Sequence, residues 1–264
     1  MGLVTGFGGV FIKANDPRYL ARWYEDHLGI GFGTSLYCSF KFRECDNTDH
    51  ISHTVFSFFD EGTNYFFPGT NDLMVNFRVT NLDEIRLHVK KNGFYVADKV
   101  ESYEYGRFGW VMDPAGNKIE LWEPVDDGFG DRNKPMELFG HVTGIGGVFI
   151  KCPDVQNISN WYTSQLGLFS NGTYHTFKSC DLYKPETINE NYFSLFPDSS
   201  AYFDPSSKNY MVNFTVRDLD ILLRELKKSE VSIIGKTEEF EYGRFAWIMD
   251  PEGNKIELWE KSLN

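Results

Sequence analysis

Apolar and polar positions alternate along much of this chain, and the alternation occurs in two copies. In Leu73-Met74-Val75-Asn76-Phe77-Arg78-Val79, the residues Leu73, Val75, Phe77 and Val79 share one face, leaving Met74, Asn76 and Arg78 on the other. That is the signature of a strand with one wholly apolar face. Gly8 to Lys13 reads the same way, with Val10 and Ile12 opposite Phe11 and Lys13. In 117–122, Ile119 and Leu121 lie opposite Lys118, Glu120 and Trp122. Helical spacing appears at Tyr19, Leu20, Trp23, Tyr24 and Leu28, after the capping pair Asp16-Pro17 and before Gly29. A second helix starts at Asn81-Leu82-Asp83-Glu84 and stops at Gly93 after two lysines. The remaining apolar runs, 36–43, 53–59 and 63–67, then 99–105 and 107–112, are predicted as strands.

The plan then restarts. Residues 103–123 and 240–260 match at 17 of 21 positions without a gap. Gly146 to Lys151 repeats the first strand, Trp161-Tyr162 repeats Trp23-Tyr24, and Tyr210 to Phe214 repeats the strand at 73. The offset is 138 early and 137 later, so one residue is lost before Tyr174. The chain is therefore a duplication. Residues 1–124 form one repeat and 142–264 the other, each expected to hold two βαβββ modules, with 125–141 as a linker. The fold class is α+β. Two helices per repeat cannot cover both faces of eight strands. Curved, cup-shaped mixed sheets follow, with the helices on the outer face.

Strand parity says which side chains enter the cups. The faces of mixed chemistry carry Phe11, Lys13, Met74, Asn76, Phe108, Trp110, Met112, Glu120 and Trp122 in the first repeat. The second repeat offers Phe149, Lys151, Met211, Asn213, Phe245, Trp247, Met249, Glu257 and Trp259. Aromatic walls with a few polar groups suit a small-molecule ligand or substrate. The competing reading is plain packing of sheet on sheet; the buried polar groups favour the pocket.

Composition narrows the partners. A net charge of −12 argues against nucleic acid and anionic membrane surfaces. No stretch has the apolar length of a membrane span, and the start lacks a basic region followed by an apolar run, so the expected location is cytoplasmic. Cys38, Cys45, Cys152 and Cys180 form no metal-like or repeated pattern. A tandem repeat builds in one chain what single repeats build by pairing, so a monomeric pseudo-dimer or a weak homodimer is expected.

Gly-Val-Phe-Ile-Lys, Trp-Tyr-x4-Gly, Met-Val-Asn-Phe and Tyr-Gly-Arg-Phe-x-Trp-x-Met-Asp-Pro-x-Gly-Asn-Lys-Ile-Glu-Leu-Trp-Glu resemble the vicinal oxygen chelate superfamily, which includes glyoxalase I, bleomycin-resistance proteins and extradiol dioxygenases. The resemblance covers nearly the whole chain. It implies metal ligands on the first, fifth and eighth strands. The eighth-strand glutamate corresponds to Glu120 and Glu257, the first-strand position falls on or beside Gly9 and Gly147, and the fifth-strand position falls on Met74 and Met211. Glycine and methionine do not suit a hard cation, so no metal and no cofactor are expected. The six histidines, His27, His50, His53, His88, His141 and His175, have no counterparts between repeats and read as surface or loop residues, with His50 and His53 the pair to watch.

The resemblance and the residues together give two expectations. The first is a metal-independent cup that binds a small aromatic or planar molecule, stacked on Trp110 or Trp247 and held by Asn76 and Glu120, or Asn213 and Glu257, as in drug-sequestering relatives. The alternative is a glyoxalase-type lyase or isomerase, similar to lactoylglutathione lyase. Glu120 and Glu257 would be its catalytic residues and Lys13 would polarise a carbonyl. A Lys13–Glu120 ion pair of purely structural value is the bland counterpart. Arg107 and Arg244 have the wrong parity for the cup and are expected to contact Glu104 and Glu241.

Overall fold

The structure, a computed structural model, describes residues 4–125 and 142–262. All of the expected linker except Val125 lies outside them. The first repeat runs β1 (Val4–Ala14), α1 (Pro17–Leu28), β2 (Tyr37–Arg43), β3 (Ile51–Asp60), β4 (Leu73–Val79), α2 (Leu82–Lys91), β5 (Glu101–Tyr103), β6 (Gly106–Met112) and β7 (Lys118–Pro124). The second runs β8 (Val142–Cys152), α3 (Val155–Leu166), β9 (Tyr174–Cys180), β10 (Ile188–Pro197), β11 (Tyr210–Val216), α4 (Leu219–Lys228), β12 (Ile233–Phe240), β13 (Gly243–Met249) and β14 (Lys255–Lys261).

Both long helices that open a repeat begin as their sequences dictate. The Asp16 and Asp154 side chains accept from the backbone N–H of Tyr19 and Asn157, and left-handed Gly29 and Gly167 close the far ends. One expectation fails. Residues 63–67 form a turn, not a strand, with Thr63 N–H donating to the Asp60 carbonyl and Phe67 N–H to that of Asn64. The Tyr65-Phe66-Phe67 run mimics a strand in composition. Gly62 on one side and Pro68-Gly69 on the other keep it too short to join a ladder.

All the strands join one curled mixed sheet in the order β12-β13-β14-β11-β8-β10-β9-β2-β3-β1-β4-β7-β6-β5. Within a repeat, β1 runs parallel to β3 and antiparallel to β4, and β4 runs parallel to β7. The two modules of a repeat therefore share one cup. The half-sheets meet at β2 and β9, where Arg43 pairs with Cys180. The apolar faces of both repeats merge in one core: Phe56 meets Phe214 at 5.3 Å and Phe77 meets Phe193 at 5.5 Å between ring centroids. Helix α1 touches α4, and α2 touches α3. The helices thus lie on the convex faces, as expected. Those faces are buried between the repeats, and each cup turns away from the other repeat.

Two buried hydrogen bonds cross that core reciprocally. Tyr24 Oη donates to Asp250 Oδ2 at 3.0 Å, and Tyr162 Oη donates to Asp113 Oδ2 at 2.9 Å. Each aspartate also accepts from the asparagine of its own hairpin turn, Asn254 or Asn117. The arginines correct a minor expectation. Arg107 bonds Asp83 and Glu123, and Arg244 bonds Asp220 and Glu260, pinning helix to strand rather than reaching Glu104 or Glu241.

Candidate functional site

Register brings the site together. Gly9 of β1 stands opposite Asn76 of β4, Asn76 opposite Glu120 of β7, and Glu120 opposite Trp110 of β6. Directly paired residues point to one face, so this row converges on the concave side. The apolar faces of the same strands are locked into the core, which fixes the register and keeps the row in place. The second repeat has the same row in Gly147, Asn213, Glu257 and Trp247.

Glu120 is 1% exposed. Its Oε1 accepts from Asn76 Nδ2 at 2.6 Å, and its Oε2 accepts from Trp110 Nε1 at 2.8 Å and from the Tyr65 hydroxyl. Glu257 repeats this with Asn213 at 2.6 Å, Trp247 at 2.8 Å and the Tyr202 hydroxyl. Burial raises the pKa of both carboxyls above the usual carboxylate range, and the surrounding donors recover only part of the shift. Lys118 lies half-buried beside Glu120, with its ammonium 5.1 Å from the Tyr65 ring centre and 5.0 Å from that of Trp110. Burial lowers the Lys118 pKa. Lys255 sits alike over Tyr202 and Trp247, each at 5.5 Å.

A buried acceptor is left over in each cup: Asn76 Oδ1 and Asn213 Oδ1 have no hydrogen-bond partner. Each packs against the first glycine of its Gly-Gly pair. A Cβ on Gly8 would overlap Asn76 Oδ1, and one on Gly146 would overlap Asn213 Oδ1.

Most of the residues read from parity do assemble. Phe11, Met74 and Trp110 cluster with Phe66, while Phe149, Met211, Phe245, Trp247 and Trp259 cluster with Phe203. Phe108 and Trp122 stack at 6.0 Å beside the first cluster. Lys13 and Lys151 correct the sequence reading. Their ammonium groups lie over Phe66 at 5.3 Å and Phe203 at 5.0 Å, and the cation beside the carboxyl is Lys118 or Lys255 instead. The Lys13–Glu120 ion pair is thus not formed. The β4 residue level with Glu120 is Asn76, whereas Met74, the expected ligand position, is level with Phe11. His53 and His175 are buried at 6% and 0% exposure, not surface residues: His53 shares the β3 face of Val55 and Phe59, which pack on the cup cluster, and His175 stacks on Phe193 in the core at 6.0 Å. Sequence reasoning missed Tyr65, Tyr202, Lys118 and Lys255. The lysines share the parity of their glutamates, and Tyr-Phe recurs at 65–66 and 202–203, so both signals were present.

No family model matches the chain, and no curated protein matches it. Solved structures do. A catechol 2,3-dioxygenase superimposes with a TM-score of 0.61 at 16% identity, covering 98% of this chain and 89% of that one. A Mn(II)-bound glyoxalase from Novosphingobium aromaticivorans gives 0.61 and 16%, with 98% and 83% coverage. A homoprotocatechuate 2,3-dioxygenase from Arthrobacter globiformis gives 0.61 and 16%, with 98% and 80% coverage. The curled sheet is the fold of the vicinal oxygen chelate proteins, and at this identity the likeness is one of fold.

The comparison corrects the expectation of no cofactor. A glyoxalase of this fold is bound to Mn(II), so the fold points to a metal, and glycine and methionine at the expected ligand positions were insufficient ground for expecting none. The donor set in this cup does not fit a three-ligand site as it stands. The row offers the Glu120 carboxylate and Asn76 Oδ1, with glycine at position 9, and both Glu120 oxygens already accept from the protein. Among the described residues, no group of three or more histidine, cysteine, aspartate or glutamate side chains gathers around one point.

Proposed function

We propose that each cup binds a small, flat molecule anchored at the buried carboxyl of Glu120 or Glu257. One observation carries this reading: the same glutamate, asparagine, tryptophan and tyrosine meet in both repeats, with bond lengths of 2.6 and 2.8 Å repeated in each. A buried carboxyl is costly to keep, and a fold alone needs none at the floor of a concave face. Trp110 supplies an apolar wall, Glu120 an acceptor, and Asn76 Oδ1 an acceptor that no protein donor uses. Two of the fold neighbours are named for small aromatic molecules, catechol and homoprotocatechuate.

A lyase or isomerase reading is the second. Its support is the pKa of Glu120, raised by burial, beside the half-buried amine of Lys118, whose pKa burial lowers. The first test is a thermal-shift screen of planar aromatic molecules against the wild type and a Trp110→Ala/Trp247→Ala variant. Hits lost in the variant support the cup; hits that persist unchanged place the binding elsewhere. For the second reading, turnover of a 2-oxoaldehyde hemithioacetal should vanish in Glu120→Gln/Glu257→Gln. Turnover that survives both changes removes the glutamates from the chemistry.

A further inference from the structure

We infer that the rings of Tyr65 and Tyr202 sit in the ligand's own seat, and that the ligand is a neutral flat ring bearing a hydroxyl. The inference rests on the cup-binding reading and specifies its ligand class. The Tyr65 ring stacks on Phe59 at 5.2 Å with 3° between planes, and meets Trp110 edge-on at 6.1 Å and 87°. Its hydroxyl reaches Glu120 at the far end. Tyr202 does the same against Phe196, at 5.4 Å and 3°, and Trp247, at 6.1 Å and 84°. Both repeats therefore seat a phenol ring in the same way, with its hydroxyl on a buried glutamate.

The ring is delivered in a way that lets it leave. It rides on a surface turn whose backbone bonds are local, where a strand in its place would be held along a ladder. Phe67 on that turn is 74% exposed, and Tyr202 itself is 37% exposed at the mouth of its cup. The next residue, Phe66 or Phe203, is fully buried and stays as the pivot. Beyond it, the amine of Lys118 holds the Tyr65 carbonyl, and that of Lys255 holds the Tyr202 carbonyl.

The charge of the incoming molecule follows from the seat. The seat holds one group of each sign, the Glu120 carboxyl and the Lys118 ammonium, so a charged ring would meet a like charge whichever sign it carried. A neutral hydroxyl reproduces the bond that Tyr65 makes to Glu120.

The test uses p-cresol, the tyrosine side chain as a free molecule. In a Tyr65→Ala/Tyr202→Ala variant, p-cresol should bind at two equivalents per chain by calorimetry. Toluene, which lacks the hydroxyl, should bind at least about tenfold more weakly, as one hydrogen bond is worth, and so should the anion 4-methylbenzoate. In the wild type, saturating p-cresol should speed deuterium uptake in 61–69 and 198–206. This second measurement stands even where the alanine variant fails to fold. Equal affinity for toluene, or p-cresol bound by the wild type with uptake in those segments unchanged, overturns the inference. If planar molecules still bind in a Trp110-dependent way while p-cresol does not, the seat is wrong and the cup reading stands. If nothing binds either protein, both fall.

Discussion

At the scale of single residues, the site depends on what is absent as much as on what is present. Gly8 and Gly146 leave room for the amide oxygens of Asn76 and Asn213. Gly8→Ala and Gly146→Ala should each cost about 1–3 kcal/mol, the usual penalty of overpacking, read by urea unfolding; a neutral result would mean that the asparagines move freely. The acids carry a pH signature. Glu120, Glu257, Asp113 and Asp250 all have pKa values raised by burial, so the folded state holds these protons more tightly than the unfolded chain. Their contribution is therefore fully present below the unfolded carboxylate range, about pH 4, and is lost as pH rises through the folded values. Tm should fall as pH rises above about 4, and Glu120→Gln/Glu257→Gln should flatten that slope. A Tm that climbs over the same range would contradict the assignment. Parity alone identified Glu120, Asn76 and Trp110. It could not identify Tyr65, because a residue on a turn has no strand period to read.

At the scale of elements, composition and conformation part company in one place. Strands with an apolar face, such as β4 and β7, were legible because their period of two is bound to burial. Residues 63–67 have the composition of a strand but make only local turns. That segment is the one that brings Tyr65 to Glu120, so the wrongly expected strand and the missed hydrogen-bond partner of the carboxyl are a single error. The helix starts were legible from their caps. Asp16→Ala and Asp154→Ala should each lose about 1 kcal/mol by chemical denaturation, and a change below a few tenths would show that the turn is held by other contacts.

At the scale of the whole molecule, the repeats are not two beads on a string. Phe56 and Phe214, and Phe77 and Phe193, belong to one core, and Tyr24 and Tyr162 reach across it to the hairpin aspartates of the other repeat. Calorimetry should therefore give a single cooperative transition; two separated transitions would mean the repeats fold alone. Tyr24→Phe and Tyr162→Phe should each cost about 1–3 kcal/mol, because each leaves a buried carboxyl short of a donor, with the loss felt by the whole chain and not one half. The duplication, the α+β class, the concave face and the glutamate on it were determined by the sequence, since strand period and internal repetition are local properties written residue by residue. Three things waited for the tertiary structure: that both modules of a repeat share a cup, that the convex faces bury each other, and that Tyr65 and Tyr202 reach the buried glutamates. Each depends on pairs of residues far apart in the chain, whose meeting is set by sheet order and loop path, and no local pattern encodes those.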